Sequence, residues 1–142
     1  MSNSLISNNV GTKDPIFLGI SLDSARESLF SSTEFSDNTS EVGGLSFLYA
    51  NVKFDTCTFR DNEASLKAPN ISATLSTLTI ENSSFSDTFQ SDSAGYGRFM
   101  FLDSESTATI SGSTFENGAT EYGGSIYLSG CKFNLVKYRF NI

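Results

Sequence analysis

Three carboxylates recur in one setting. Asp37, Asp61 and Asp87 each lie two residues after a phenylalanine, and Arg60 and Arg98 are the cations nearest to them in the repeat pattern. Paired carboxylates beside a cation suit glycoside cleavage, which needs no histidine. Carboxylates stacked about 5 Å apart would also suit a hard, oxygen-liganded cation such as calcium. The 142-residue chain has no histidine, which removes Ser-His-Asp and Cys-His nucleophiles, His-ligated zinc and imidazole pH sensing. The three aspartates follow a structural regularity and no unique cluster breaks it. No Gly- and Asp-rich calcium nonapeptide is present either. Solvated turn carboxylates are therefore the better reading, and no catalytic residue, metal or cofactor is expected.

The other reactive side chains are few. Cys57 and Cys131 fall in different repeats, about three coils or roughly 14 Å apart if the repeats stack, beyond disulfide reach. Two free thiols acting as small fillers are expected. Asn38, Asn70 and Asn82 open N-x-[ST] triplets and are glycosylation candidates. Sixteen acidic against nine basic side chains give a net charge of −7, which speaks against nucleic acid as a partner. No apolar run is long enough for a transmembrane helix, and residues 1–15 lack the pattern of a secretory signal.

The elements that position these residues are repeats. SLFSSTEFSDN (28–38), VKFDTCTFRDN (52–62), LTIENSSFSDT (78–88) and ATISGSTFENG (108–118) align on Phe35, Phe59, Phe85 and Phe115. CKFNLVKYRFN (131–141) gives a fifth copy with Tyr138 as anchor and Asn141 in the Asn position. Ile6 with Asn9 is a sixth candidate. Gly-Gly pairs precede alternating strands at Gly43-Gly44 and Gly123-Gly124, with a decayed copy from Gly95. A period of about 20–30 residues built from short alternating strands and Asn or Gly turns is that of a parallel β-solenoid. Leu22 to Phe30 comes nearest to a helical pattern. The anchors should stack inside as an aromatic column, and Asn38, Asn62 and Asn141 should form a ladder at a turn. The Gly-Gly pairs should supply positive φ at the opposite corner. The fold class is all-β: one right-handed parallel β-helix of about five coils over residues 1–142, with 1–15 as a terminal coil or an extension.

Phe35-Ser-Asp-Asn38, Phe59-Arg-Asp-Asn62 and Gly123-Gly-Ser-Ile126 resemble the F-x-x-N and G-G-A-I repeats of the polymorphic outer membrane proteins, best known from chlamydial surface autotransporters. The similarity covers about residues 28–142. It implies a pectin-lyase-like right-handed β-helix, used outside the cell or at its surface for adhesion to a protein or glycan partner. On that resemblance Phe35, Asn38, Phe59, Asn62, Gly43, Gly44, Gly123 and Gly124 are the motif residues.

Phe35, Phe59, Asn38 and Asn62 also read as fold-specifying, since a buried column and a turn ladder explain their spacing without a partner. The longest interval between anchors contains SDTFQSDSAGYG (86–97). Loops leaving a solenoid carry binding residues, so Phe89, Tyr96 and Arg98 are the candidate partner contacts. The expected function is a noncatalytic, adhesin-like interaction module. A structural accessory subunit is the alternative, and a carbohydrate-active β-helix enzyme comes third. Neighbouring chains or further coils are expected to cover the solenoid ends, because an open solenoid end leaves β edges exposed.

Overall fold

The computed structural model describes residues 1–11, 17–20, 25–41, 43–65, 68, 70–90, 96–118, 124–137 and 139–141. Every regular element among them is a β-strand, and every pairing is parallel between successive turns of the chain. One turn reads Leu45–Leu48, Asn51–Asp55, Thr58–Arg60 and Glu63–Ala64, followed by Ile71–Thr74, which pairs with Leu45–Leu48. Four parallel sheets result. A leading sheet stacks Phe17–Ile20, Leu45–Leu48, Ile71–Thr74, Met100–Asp103 and Ile126–Ser129. A long sheet stacks Glu27–Ser31, Asn51–Asp55, Thr77–Glu81, Thr107–Ser111 and Lys132–Val136. An anchor sheet is six strands deep, from Leu5–Ser7 to Arg139–Asn141, and a short sheet has four two-residue strands, from Val10–Gly11 to Phe89–Gln90. This is a parallel β-solenoid.

Alternation along each strand decides what lies inside. In the long sheet, Phe30, Phe54, Ile80 and Ile110 form one buried column, and Val52, Leu78 and Ala108 form another. In the anchor sheet, Phe35, Phe59, Phe85 and Phe115 stack ring on ring at 4.7, 4.5 and 4.9 Å, with interplanar angles of 10° or less. Ile6 pairs with Phe35 below them. The outward positions are largely Ser, Thr, Asn and charged residues, which keeps the sheets wet on one side.

The corners depend on left-handed backbone. Ser32, Thr56, Asn82, Gly112 and Lys137 have φ between 46° and 58° at the corner from long to anchor sheet. Asn8, Asp37, Asp61, Asp87 and Asn117, with φ between 49° and 60°, turn the chain after the anchor strands. Asn and Asp tolerate this region better than other side-chain-bearing residues, which explains why the repeated aspartates stand there. Each anchor therefore lies three residues after one left-handed corner and two before the next.

Several expectations are corrected by this register. The last anchor is Phe140, not Tyr138: Phe140 pairs with Phe115, and their rings stack at 5.0 Å. The left-handed residue Lys137 sets that count; Tyr138 itself lies outside the described residues. Asn141 then pairs with Glu116 and stands in a strand, not in the Asn corner of Asn38 and Asn62. Glu27–Ser31, which overlaps the stretch nearest to a helical pattern, is a strand; residues 22–24 lie outside the described residues. Positive φ is carried mainly by the Asx, Ser, Thr and Lys corners. Of the Gly-Gly pairs, Gly43 and Gly124 have φ of 144° and 48°, and Gly123 lies outside the described residues.

Candidate functional site

Two constellations stand out from the repeat. The first is the inward face of the corner that follows the anchors. Asn38 and Asn62 are buried there, one coil apart. Asn62 Oδ1 accepts from the backbone N–H of Asn38 at 3.1 Å and from its Nδ2 at 3.0 Å. Asn38 Oδ1 accepts the same pair from Asn9, at 3.2 and 2.9 Å. Asn62 Nδ2 then donates to Phe35 O and to Asn70 Oδ1, at 2.9 and 2.8 Å. Asn70 ends the ladder because the next coil has Thr88 in place of Asn. Asn70 Nδ2 is buried with no hydrogen-bond partner, beside a small gap also lined by Asn38, Gly44 and Asn62.

The other corners use the same device with smaller groups. Ser83 Oγ accepts the Cys57 N–H, and Ser113 Oγ accepts the Ser83 N–H, at 3.0 and 3.1 Å. Ser76 Oγ accepts the Ala50 N–H, and Ser106 Oγ accepts the Ser76 N–H. In all three ladders a backbone N–H of one coil meets a side-chain oxygen of the next. These groups satisfy buried backbone at bends where the strand ladder is interrupted. Phe35, Phe59, Asn38 and Asn62 thus face inward and are buried. Burial of Asn38 and Asn70 also removes them as glycan carriers in the folded chain. Asn82, at an exposed left-handed corner, is the accessible member of the three.

The second constellation is on the outside of the leading sheet. The register aligns Ser46, Ser72, Phe101 and Tyr127 in one outward column. Phe101 and Tyr127 stack at 5.2 Å and 7°, and Tyr96 packs edge-on against both, at 6.1 and 4.8 Å. Phe101 is buried yet lies outside the core cluster. Tyr96 is 39% exposed. Gly97 makes the approach possible: its φ is 62°, and a Cβ there would overlap the Met100 carbonyl oxygen and sit 2.7 Å from Tyr127 N. Arg98 follows, half-buried, with its guanidinium pKa pushed down by that burial. Stacked rings with tyrosyl edges at the surface can bind the apolar face of a sugar ring or a peptide side chain.

The loop residues named from sequence divide accordingly. Tyr96 belongs to this cluster. Phe89 lies in the short sheet, paired with Glu63, and residues 91–95 lie outside the described residues. Phe101 and Tyr127 were missed: Met100, Phe101 and Leu102 are all apolar, so only the pairing of Phe101 with Tyr127 shows which face Phe101 takes.

Among the described residues, the two arginines named from sequence lie at different sheets. Arg60 donates to Glu34 Oε1 and Asp61 Oδ2, both at 2.7 Å, in an exposed network on the anchor sheet. Those contacts raise its pKa, the Asp61 hydrogen bond first. Arg98 starts the leading sheet at a different corner. Asp87 accepts from Asn117 Nδ2 at 2.8 Å. Among the described residues, no three carboxylates or thiols gather as a metal site, and no helix is long and apolar enough to cross a membrane. Cys57 and Cys131 are free thiols at two different corners.

Fold and register define a β-solenoid repeat protein. A family model described as the right-handed beta helix region matches residues 1–142, and the chain belongs to that family. No curated protein and no solved structure matches it.

Proposed function

We propose that the chain is a noncatalytic interaction module that acts in an adhesin-like way at a cell surface or outside the cell. The observation that carries this reading is the Tyr96, Phe101 and Tyr127 cluster. Phe101 and Tyr127 stack in the register column that holds Ser46 and Ser72 in earlier coils, and Tyr96 packs edge-on against both. Tyr96 and Tyr127 leave part of their rings at the surface beside buried Phe101, a position suited to a glycan or protein partner. The engagement of Arg60 with Glu34 and Asp61 supports a noncatalytic role, because that cation is already neutralised at the surface.

The test is binding of the whole chain to a glycan array and to cultured cells, with Tyr127→Ser and Tyr96→Ser beside it. Loss of binding with an unchanged circular dichroism spectrum supports the reading. Binding untouched by both substitutions, or depolymerisation of pectic polysaccharide by the chain, overturns it.

A further inference from the structure

The three N-x-[ST] triplets are placed differently by the fold. Transfer of a glycan uses the acceptor amide and the hydroxyl two residues on, and the amide must then hold a bulky sugar in water. Asn38 and Ser40 are both buried, and Ser40 Oγ accepts the Gly43 N–H at 3.3 Å. Asn70 and Ser72 are both buried as well. Asn82 is exposed, and Ser84 lies half-buried on the outward side of the strand Ser84–Ser86, whose Phe85 points inward. One triplet therefore has both of its working groups on the outside.

The amide hydrogen bonds separate the three in the same way. Asn38 Nδ2 spends both of its N–H groups, on Ile6 O and Asn62 Oδ1, at 3.0 Å each. An N-linked sugar replaces one of those hydrogens, so it breaks the asparagine ladder. Asn70 Nδ2 is enclosed by the fold, and its Oδ1 is held by Asn62 Nδ2 at 2.8 Å. Asn82 Nδ2 makes one bond, to Asp55 Oδ1 at 3.3 Å, which leaves its second N–H for substitution. The same corner in the next coil is Gly112, where a Cβ would sit 2.6 Å from Asn82 Oδ1. The Asn82 side chain thus lies where only a glycine in the following coil leaves room for it.

We propose that Asn82 carries an N-linked glycan, and that Asn38 and Asn70 do not, when the chain passes through a eukaryotic secretory route. The inference rests on the proposed role outside the cell. In the transfer, Asn82 Nδ2 bonds to C1 of the first sugar of a lipid diphosphate-linked oligosaccharide. The bond from C1 to the diphosphate oxygen breaks, the amide loses one proton, and the lipid diphosphate leaves. A chain modified at Asn38 or Asn70 before folding cannot close the ladder at that corner. Asn82 stands between the long and anchor sheets, whereas Tyr96, Phe101 and Tyr127 belong to the leading sheet, which does not border that corner. The glycan therefore leaves the aromatic cluster open.

The experiment is secretion of the whole chain, behind an added signal peptide, from cultured mammalian cells, with mass spectrometry before and after peptide N-glycosidase. The secreted protein should carry one glycan, mapped to Asn82. It should be lost in Asn82→Gln and in Ser84→Ala, the second of which keeps the corner asparagine and so covers a failure of the first to fold. Ser84→Thr should retain it. Secreted wild type without a glycan, a glycan on Asn38 or Asn70 in folded protein, or a glycan that persists in Ser84→Ala overturns the proposal and leaves the adhesin-like role standing. A glycan on Asn82 in a chain that binds neither cells nor glycans supports the proposal and overturns that role.

Discussion

Asn62 Oδ1 receives both the backbone N–H and the side-chain Nδ2 of Asn38 from the adjacent coil, at 3.1 and 3.0 Å. One side chain thereby satisfies a buried backbone group and locks two coils in register, while its own Nδ2 bonds Phe35 O and Asn70 Oδ1. Asn62→Ala would leave the Asn38 N–H and the Asn70 amide buried without partners. The expected cost is on the order of 3 kcal/mol, since each orphaned buried polar group costs about 1–3 kcal/mol. Urea unfolding should show a lower midpoint with an unchanged m-value. A change below about 0.5 kcal/mol would mean that the ladder is replaced by water at little cost.

The phenylalanine column gives a graded prediction. Phe59 is fully buried between Phe35 and Phe85, whereas Phe140 covers Phe115 on one face and is 38% exposed on the other. Phe59→Ala should destabilise by about 3–5 kcal/mol, as for large-to-small changes in filled cores. Phe140→Ala should cost less than half of that, roughly 1–2 kcal/mol, because part of its surface already meets water. Tyr138→Ala should not reproduce the Phe140 effect. Equal losses for Phe140 and Tyr138 would sink the register at the last coil.

Most of the interior was legible in the sequence because a parallel solenoid repeats one spatial problem in each coil. Phe35, Phe59, Phe85 and Phe115 solve it with the same residue, and Asn38 and Asn62 likewise. The last coil was misread because Tyr138 and Phe140 are both aromatic, and F-x-x-N spacing fits Tyr138-Arg-Phe-Asn141. The deciding feature is backbone conformation at Lys137, which side-chain type does not announce. The aromatic cluster was half legible: Tyr96 stood in the longest interval between anchors. Phe101 and Tyr127 come from different coils, however, and only the strand register brings them together.

Thr56 is the corner residue least suited to its backbone. Its φ is 56°, it is exposed, and it is β-branched, whereas Asn82 and Gly112 occupy the same corner in the next two coils. Left-handed backbone costs a residue of this type roughly 1–2 kcal/mol, and Asn tolerates it better. Thr56→Asn, in protein made in bacteria so that no glycan is added, should therefore stabilise by about 1 kcal/mol. Thermal unfolding should show the rise in Tm. A fall would mean that the Thr56 Oγ1 hydrogen bond to Asp55 Oδ1, 3.1 Å long, outweighs the backbone strain.

Cys57 occupies the corner position held by Thr33, Ser83 and Ser113 in other coils, and its thiol donates to Phe30 O and Asp55 O at 3.5 Å each. Burial pushes its pKa up, with nearby backbone contacts opposing that rise in part. The folded chain therefore holds this proton to higher pH than the unfolded chain, whose thiol titrates near about 8.5. Above that value the unfolded state loses the proton first and is favoured, so the Cys57 contribution is complete below about pH 8 and declines as pH rises toward the folded value. Cys57→Ser keeps a hydrogen-bonding group of the kind that Ser83 and Ser113 supply at this corner. It should flatten the alkaline fall in the urea midpoint relative to the wild type while the chain stays folded at neutral pH. Thiol labelling separates the two cysteines: half-exposed Cys131 should react in the native chain, and Cys57 only at the rate of unfolding. Rapid labelling of Cys57 under native conditions, or an alkaline slope unchanged in Cys57→Ser, would show that this corner opens without the rest of the solenoid.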